Sequence, residues 1–130
     1  MSIERVNPAG LATPRGFSHA VVGQGTLIFL AGQTALDEDG RIVGADIVAQ
    51  FQQTLANLLI ALRAAGGEPG QLASLTVYTT DLRDYRARAR EIGQVWRSLV
   101  GSDYPTMAAI GVSELWDPEA LVEIQGFAVI

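Results

Sequence analysis

The sequence has no cysteine and no lysine, and its only histidine is His19. Those absences exclude a thiolate nucleophile, a Schiff-base lysine and a Cys-ligated zinc or iron–sulfur centre. One histidine also leaves a His-rich metal site almost without ligands, and no disulfide framework is available. No apolar run approaches the ~20 residues that carry a helix across a bilayer. Met1 to Arg5 lacks the basic-then-apolar pattern of a secretory leader, so a soluble, cytoplasmic protein is expected.

What is present narrows the field further. Fourteen acids face nine bases, all arginine, for a net charge of −5. Such a balance is a poor match for a polyphosphate backbone, so neither nucleic acid nor a membrane surface is an expected partner. The 130 residues, 48% of them hydrophobic, suit one domain spanning 1–130 and argue against disorder. Chemistry must then come from carboxylates, hydroxyls, arginine, backbone groups, water or a borrowed cofactor.

Patterning gives an order of elements. Ser18–Val22 and Thr26–Ala31 flank Gly23-Gln24-Gly25 and predict a hairpin. Asp37-Glu38-Asp39-Gly40 predicts a turn; the ligand spacing and distal Glu of a calcium loop are missing. From Asp46 the period lengthens: Ile47, Phe51, Leu55, Leu58 and Leu62 form one helical stripe, with Asp46 as N-cap and Gly66-Gly67 as stop. Leu72–Thr80 alternates as a strand. Tyr85, Ala89, Ile92, Trp96 and Leu99 predict a second helix from about Asp84 to Val100, with Asp84 and Arg88 as an i,i+4 pair. Thr106–Val112 and Leu121–Val129 close the chain as strands around a Trp116-Asp117-Pro118 turn. The order ββαβαββ predicts an α+β fold with two helices on one face of the sheet.

Several candidate sites have plainer explanations. Arg83, Arg86 and Arg90 share a helix face, but Asp81, Asp84 and Glu91 interleave with the cluster, as on a solvated surface. Ser18 and His19 are adjacent on a strand and point to opposite faces, so they make no catalytic dyad. Gly23-Gln24-Gly25 lies between strands and opens no helix, unlike a dinucleotide fingerprint. Glu123 differs. It interrupts the apolar strand 121–127, where a carboxylate sits either at a wet edge or in a partly dry site that raises its pKa toward acid–base duty.

Five blocks taken together resemble one family. They are Gly16-Phe17-Ser18-His19-Ala20-Val21, Leu30-Ala31-Gly32-Gln33-Thr34, Thr76 through Tyr85, Tyr104-Pro105-Thr106, and Leu121-Val122-Glu123-Ile124-Gln125. In this order they resemble the RidA/YjgF family, also known as the L-PSP endoribonucleases, over about residues 7–130. The resemblance implies a chorismate-mutase-like α+β fold, a homotrimer with a small-molecule ligand in each intersubunit cleft, and hydrolysis of reactive enamines and imines without a cofactor or metal. It places the water-handling carboxylate at Glu123, the turn at Gly32 and Gln33, and an aromatic wall, usually Tyr, at Phe17. The position of the family's carboxylate-binding Arg falls on Met107, and that of a common Asn on Ala89. Met107, Ala109 and Trp116 are therefore expected cleft residues.

Methionine cannot pair with a carboxylate, whereas a charge-assisted bond contributes about 1.5–3 kcal/mol. The chain thus resembles an Arg-lacking branch, with a substrate more apolar or less anionic than 2-iminopropanoate. Arg15 and Arg90 are the cations that offer themselves as replacements. Three readings follow: an imine or enamine hydrolase using Glu123, a trimer that binds a small metabolite without chemistry, and an endoribonuclease. The acidic balance weighs against the last.

Overall fold

A computed structural model describes residues 3–130. In chain order the elements are β1 (Ile3–Val6), β2 (Ala20–Gly23), β3 (Leu27–Gln33), α1 (Ile47–Ala64), a single 3-10 turn (Pro69–Gln71), β4 (Leu72–Thr79), α2 (Leu82–Ala87), α3 (Ala89–Leu99), β5 (Thr106–Gly111) and β6 (Val122–Val129). The main sheet has the order β3-β6-β4-β5. β6 runs antiparallel to both β3 and β4, whereas β5 is parallel to β4. A parallel pair needs a long crossover, and α2 and α3 supply it.

The first helix forms as its sequence dictates. The Asp46 side chain accepts from the Ala49 amide, and the chain leaves the helix through Gly66 at φ +95°. There the amides of Gly66 and Gly67 donate to the carbonyls of Arg63 and Leu62. Phe51, Leu55, Leu58 and Leu62 are buried against Ile28 and Leu30 of β3, Leu75 and Val77 of β4, and Val122, Ile124 and Ala128 of β6. Ile92 and Trp96 of α3 complete this layer. The expected α+β architecture, with helices on one face, is what the chain adopts.

Three details depart from expectation. β2 does not form a hairpin with β3: it pairs antiparallel with β1, from Ile3 opposite Gly23 to Val6 opposite Ala20. Beyond Gly25, at φ +138°, Thr26 exchanges both backbone hydrogen bonds with Ile130, so the C-terminal strand captures β3 instead. The β1 strand, too short and polar to register as a pattern, is what claims β2. Second, the expected single helix is broken at Arg88 (φ −104°, ψ 21°) and starts earlier, capped by Asp81. Third, Arg88 does not pair with Asp84. Its guanidinium bridges Glu91 at 2.7 Å and Asp46 at 3.2 Å, tying the crossover to the start of α1.

The opposite face of the sheet is left open. Phe29 and Phe127, opposite each other on β3 and β6, meet edge-to-face at 5.3 Å between ring centroids. They remain 72% and 45% exposed, and Leu27 beside them is 57% exposed.

One core position carries a testable flaw. Thr54, fully buried in α1, has a hydroxyl without a hydrogen-bond partner. Such a group costs about 1–3 kcal/mol, and valine has the same shape without the hydroxyl. Thr54→Val is expected to raise the unfolding free energy by about 1 kcal/mol in urea titrations.

Candidate functional site

Burial alternates along β6: Val122, Ile124, Gly126 and Ala128 point to the helices, which turns Glu123, Gln125 and Phe127 to the open face. Glu123 lies opposite Tyr78 of β4. Across the other edge the pairing of β3 with β6 is irregular between Leu30 and Gln33, and Gly32 falls within that irregularity. The Glu123 carboxylate occupies the space where a Cβ on residue 32 would stand. Glycine at this position leaves the carboxylate its place, and any larger residue would turn the Glu123 side chain aside.

Two polar side chains of α1 hold the loops on either side. Gln50, buried, donates to the Gly44 and Glu119 carbonyls and accepts from the Leu121 amide at 2.8 Å. Seven residues further, the Asn57 amide donates to the carbonyls of Thr34 at 3.0 Å and Leu36 at 2.9 Å. The two loops are then joined directly: the Thr34 hydroxyl donates to Asp117 Oδ2 at 2.7 Å. Thr79 secures the lead-in to β6 through the Leu121 carbonyl at 2.8 Å.

This frame sets the electrostatics of Glu123. Partial burial pushes its pKa up, and the neighbouring Asp117 charge adds to the rise. The Glu123 carboxylate has no hydrogen bond or ion pair among the described residues. A carboxylate so placed is a stronger base than an exposed one and is free to act on a water or substrate. Asp117→Asn keeps an oxygen acceptor for Thr34 but removes the like charge. The pKa of Glu123 is then expected to fall, as read from its carboxyl resonance in an NMR titration against wild type.

The other expected residues lie elsewhere in the chain. Met107 pairs with Leu75, so it faces the helices and packs against the core. It lines a cavity of about 280 Å³ between α3 and β5, together with Arg15, Phe51, Ala89, Trp96 and Tyr104. Ala109 is opposite Val77 on exposed backbone of β5. Phe17 is half-buried and meets His19 edge-on at 5.0 Å. His19 itself contacts the Ala12 carbonyl, while the Ser18 hydroxyl donates to the Tyr104 carbonyl, so these two form no dyad. Gln33 lines a separate open groove of about 730 Å³ beside Asp37 and Asn57. Trp116 is 94% exposed. Within one chain, Glu123 and Gly32 thus come together, and Met107 lies on the other side of the sheet. Among the described residues no cluster of three His, Asp or Glu could hold a metal.

The sequence pattern passed over Asp117, Thr34, Gln50 and Asn57. Gln50 and Asn57 carried a signal, two amides spaced seven apart beside an apolar stripe. Asp117 carried none beyond its place in a turn. Of the two cations expected as replacements for the family's Arg, Arg15 lines the Met107 cavity and Arg90 does not; Arg97, to which no pattern pointed, also lines it.

Comparison with known proteins agrees with this construction. The Endoribonuclease L-PSP family model matches residues 8–130. A RutC family protein of Pyrococcus horikoshii is 32% identical over 116 residues, 88% of each chain. The 2-iminobutanoate/2-iminopropanoate deaminase of Salmonella typhimurium is 27% identical over 108 residues, 83% of each. The crystal structure of YyfB, a Rid family protein of unknown function from Yersinia pestis, superimposes with a TM-score of 0.90 at 36% identity over 100% of both chains. With a family model over residues 8–130, a relative 32% identical over 88% of each chain and the same fold in YyfB, the chain belongs to the RidA/YjgF family, the Endoribonuclease L-PSP family.

Proposed function

We propose that the protein is a cofactor-independent hydrolase of the imine or enamine deaminase type, working in clefts between the subunits of a homotrimer. One observation carries the reading: Glu123 is a carboxylate without an internal partner, made more basic by partial burial and by Asp117, over a glycine that gives it room. In the reaction, Glu123 takes a proton from water as the oxygen bonds to the imine carbon. The carbinolamine nitrogen then receives that proton, Glu123 takes up the carbinol hydroxyl proton as the C–N bond breaks, and a carbonyl compound and ammonia leave. The Salmonella relative, a deaminase of 2-imino acids by name, supports the same substrate class.

The trimer is supported by the open sheet face. Leu27, Phe29 and Phe127 form an apolar patch that none of the described residues covers, as expected of a surface buried in assembly. The accessible surface, 7531 Å², also exceeds the about 6,600 Å² expected for a compact monomer of this mass. Phe29→Glu places a charge in that patch and is expected to give monomers by light scattering, with hydrolysis lost. A trimeric, active variant would show that the subunits do not meet through this patch.

A second reading keeps one observation in its favour. Met107 stands where the family's Arg is expected, and no carboxylate lines its cavity, which suits a trimer that binds a metabolite unchanged. The assay that separates the two supplies 2-imino acids in situ from an amino-acid oxidase. Faster release of ammonia and 2-oxo acid supports the hydrolase. Thermal stabilisation by a ligand recovered intact, with no turnover, supports the binder.

A further inference from the structure

We propose that the cavity between α3 and β5 recognises a carboxylate bearing a bulky apolar side chain, with Arg97 and Arg15 binding the anion in place of the missing Arg. This rests on the hydrolase reading and gives its substrate class: 2-imino acids with aromatic or branched aliphatic side chains rather than the three- and four-carbon ones.

The cavity is built in two halves. Its wall is apolar: Phe51, Ile92, Trp96 and Met107, with Tyr104 stacked on the Trp96 ring at 5.7 Å. Its cations are Arg15, from the loop before Phe17, and Arg97, from the last turn of α3. Gly93, one turn earlier, lines the cavity beside the second. Neither guanidinium has an ion pair among the described residues, so both are free to meet an anion. Two unpaired cations beside an apolar wall without a carboxylate match an amphiphilic anion, charged at one end and apolar at the other.

Tyr85 adds a donor. Burial pushes its phenol up to about 12, so it keeps its proton at any working pH, and it too lines the cavity. A space of about 280 Å³ is at the small end of ligand sites and suits a benzyl or isobutyl group with its carboxylate. Met107 completes the logic. An Arg at 107 would fill the inner end of this space with its own side chain. Methionine, flexible and polarizable, leaves it open to an apolar group and moves the cation to the rim.

The test uses the stable 2-oxo acids that such imines yield, so binding is read without turnover. Phenylpyruvate and pyruvate are titrated calorimetrically into wild type, Arg97→Gln, Arg15→Gln and Met107→Arg. Phenylpyruvate is expected to bind at least tenfold more tightly than pyruvate, and each Arg→Gln change to weaken it at least fivefold. Met107→Arg should lower that preference. Equal binding of both acids, or unaltered phenylpyruvate binding in both Arg variants, overturns the proposal. The two arginines are exposed, so their replacement spares the fold, and circular dichroism checks this. Hydrolysis of small imines with no phenylpyruvate binding would overturn this inference and leave the hydrolase standing. Arg-dependent binding with no imine turned over would do the reverse.

Discussion

Glu123→Gln is expected to lower imine hydrolysis by about 10²–10⁴-fold, the usual contribution of a positioned acid–base group. Glutamine keeps the length and shape of the side chain over Gly32 but cannot accept the proton of the attacking water. The loss should fall on kcat, because glutamine still fills the site and only the proton acceptor is removed. Stability should move the other way. Glu123 has a raised pKa in the folded protein, so the folded state binds its proton more tightly than the unfolded chain. That contribution favours folding at low pH and turns against it as pH rises through the folded pKa. Glu123→Gln removes it, so the variant is expected to melt slightly higher than wild type at neutral pH, with the difference vanishing in acid. Full activity in the variant would rule out the mechanism; a lower melting point at neutral pH would contradict the electrostatic account.

The largest effect on stability is expected at Gly126. It sits in β6 between Leu30 and Leu75, its strand neighbours on either side. A Cβ there would collide with the Ser74 carbonyl oxygen and stand 2.6 Å from Leu75 Cδ2 and 3.0 Å from Leu75 Cα. Two of these three atoms are backbone, so relief requires β4 and β6 to separate and strain their ladder. Overpacking typically costs about 1–3 kcal/mol, and an obstruction that cannot rotate away belongs at or above the top of that range. For a domain of this size Gly126→Ala is expected to lower the melting temperature by roughly 10 °C or more. Gly10, with nothing within 4 Å of its Cβ position and no positive φ, is the control; Gly10→Ala should stay within about 0.5 kcal/mol of wild type. A neutral Gly126→Ala would mean that the sheet yields at its centre, contrary to its packing.

Both residues show how far local pattern reaches. Glu123 stood out because one carboxylate broke an apolar alternation, a signal within a five-residue window. Gly126 lies in the same strand and looked like any other glycine. Its requirement comes from Ser74 and Leu75, some fifty residues away in sequence. Asp117 is similar: it read as part of a turn, and its influence on Glu123 arises only because Gln50 and Asn57 draw two distant loops together until Thr34 bonds it. The failed hairpin is the same lesson. Gly23-Gln24-Gly25 offers a good turn, but a turn only proposes a pairing, and long-range ladders to β1 and β6 outweighed it.

The sequence by itself determined the chemistry that is available and the helical faces. It excluded lysine and cysteine catalysis, marked the α1 stripe with its Asp46 cap and Gly66 exit, set the alternation of β4 and β6, and carried the ordered blocks that resemble the RidA/YjgF family. These are properties of composition and of periods of two and 3.6 residues, which act over a few neighbours. Tertiary structure alone decided which strands pair, why residue 126 is glycine and how Gly32 makes way for Glu123, that Asp117 tunes Glu123, and that Met107 shares a cavity with Arg15 and Arg97. Each of these depends on contacts between segments far apart in the chain, and their register is fixed only when the whole core is packed.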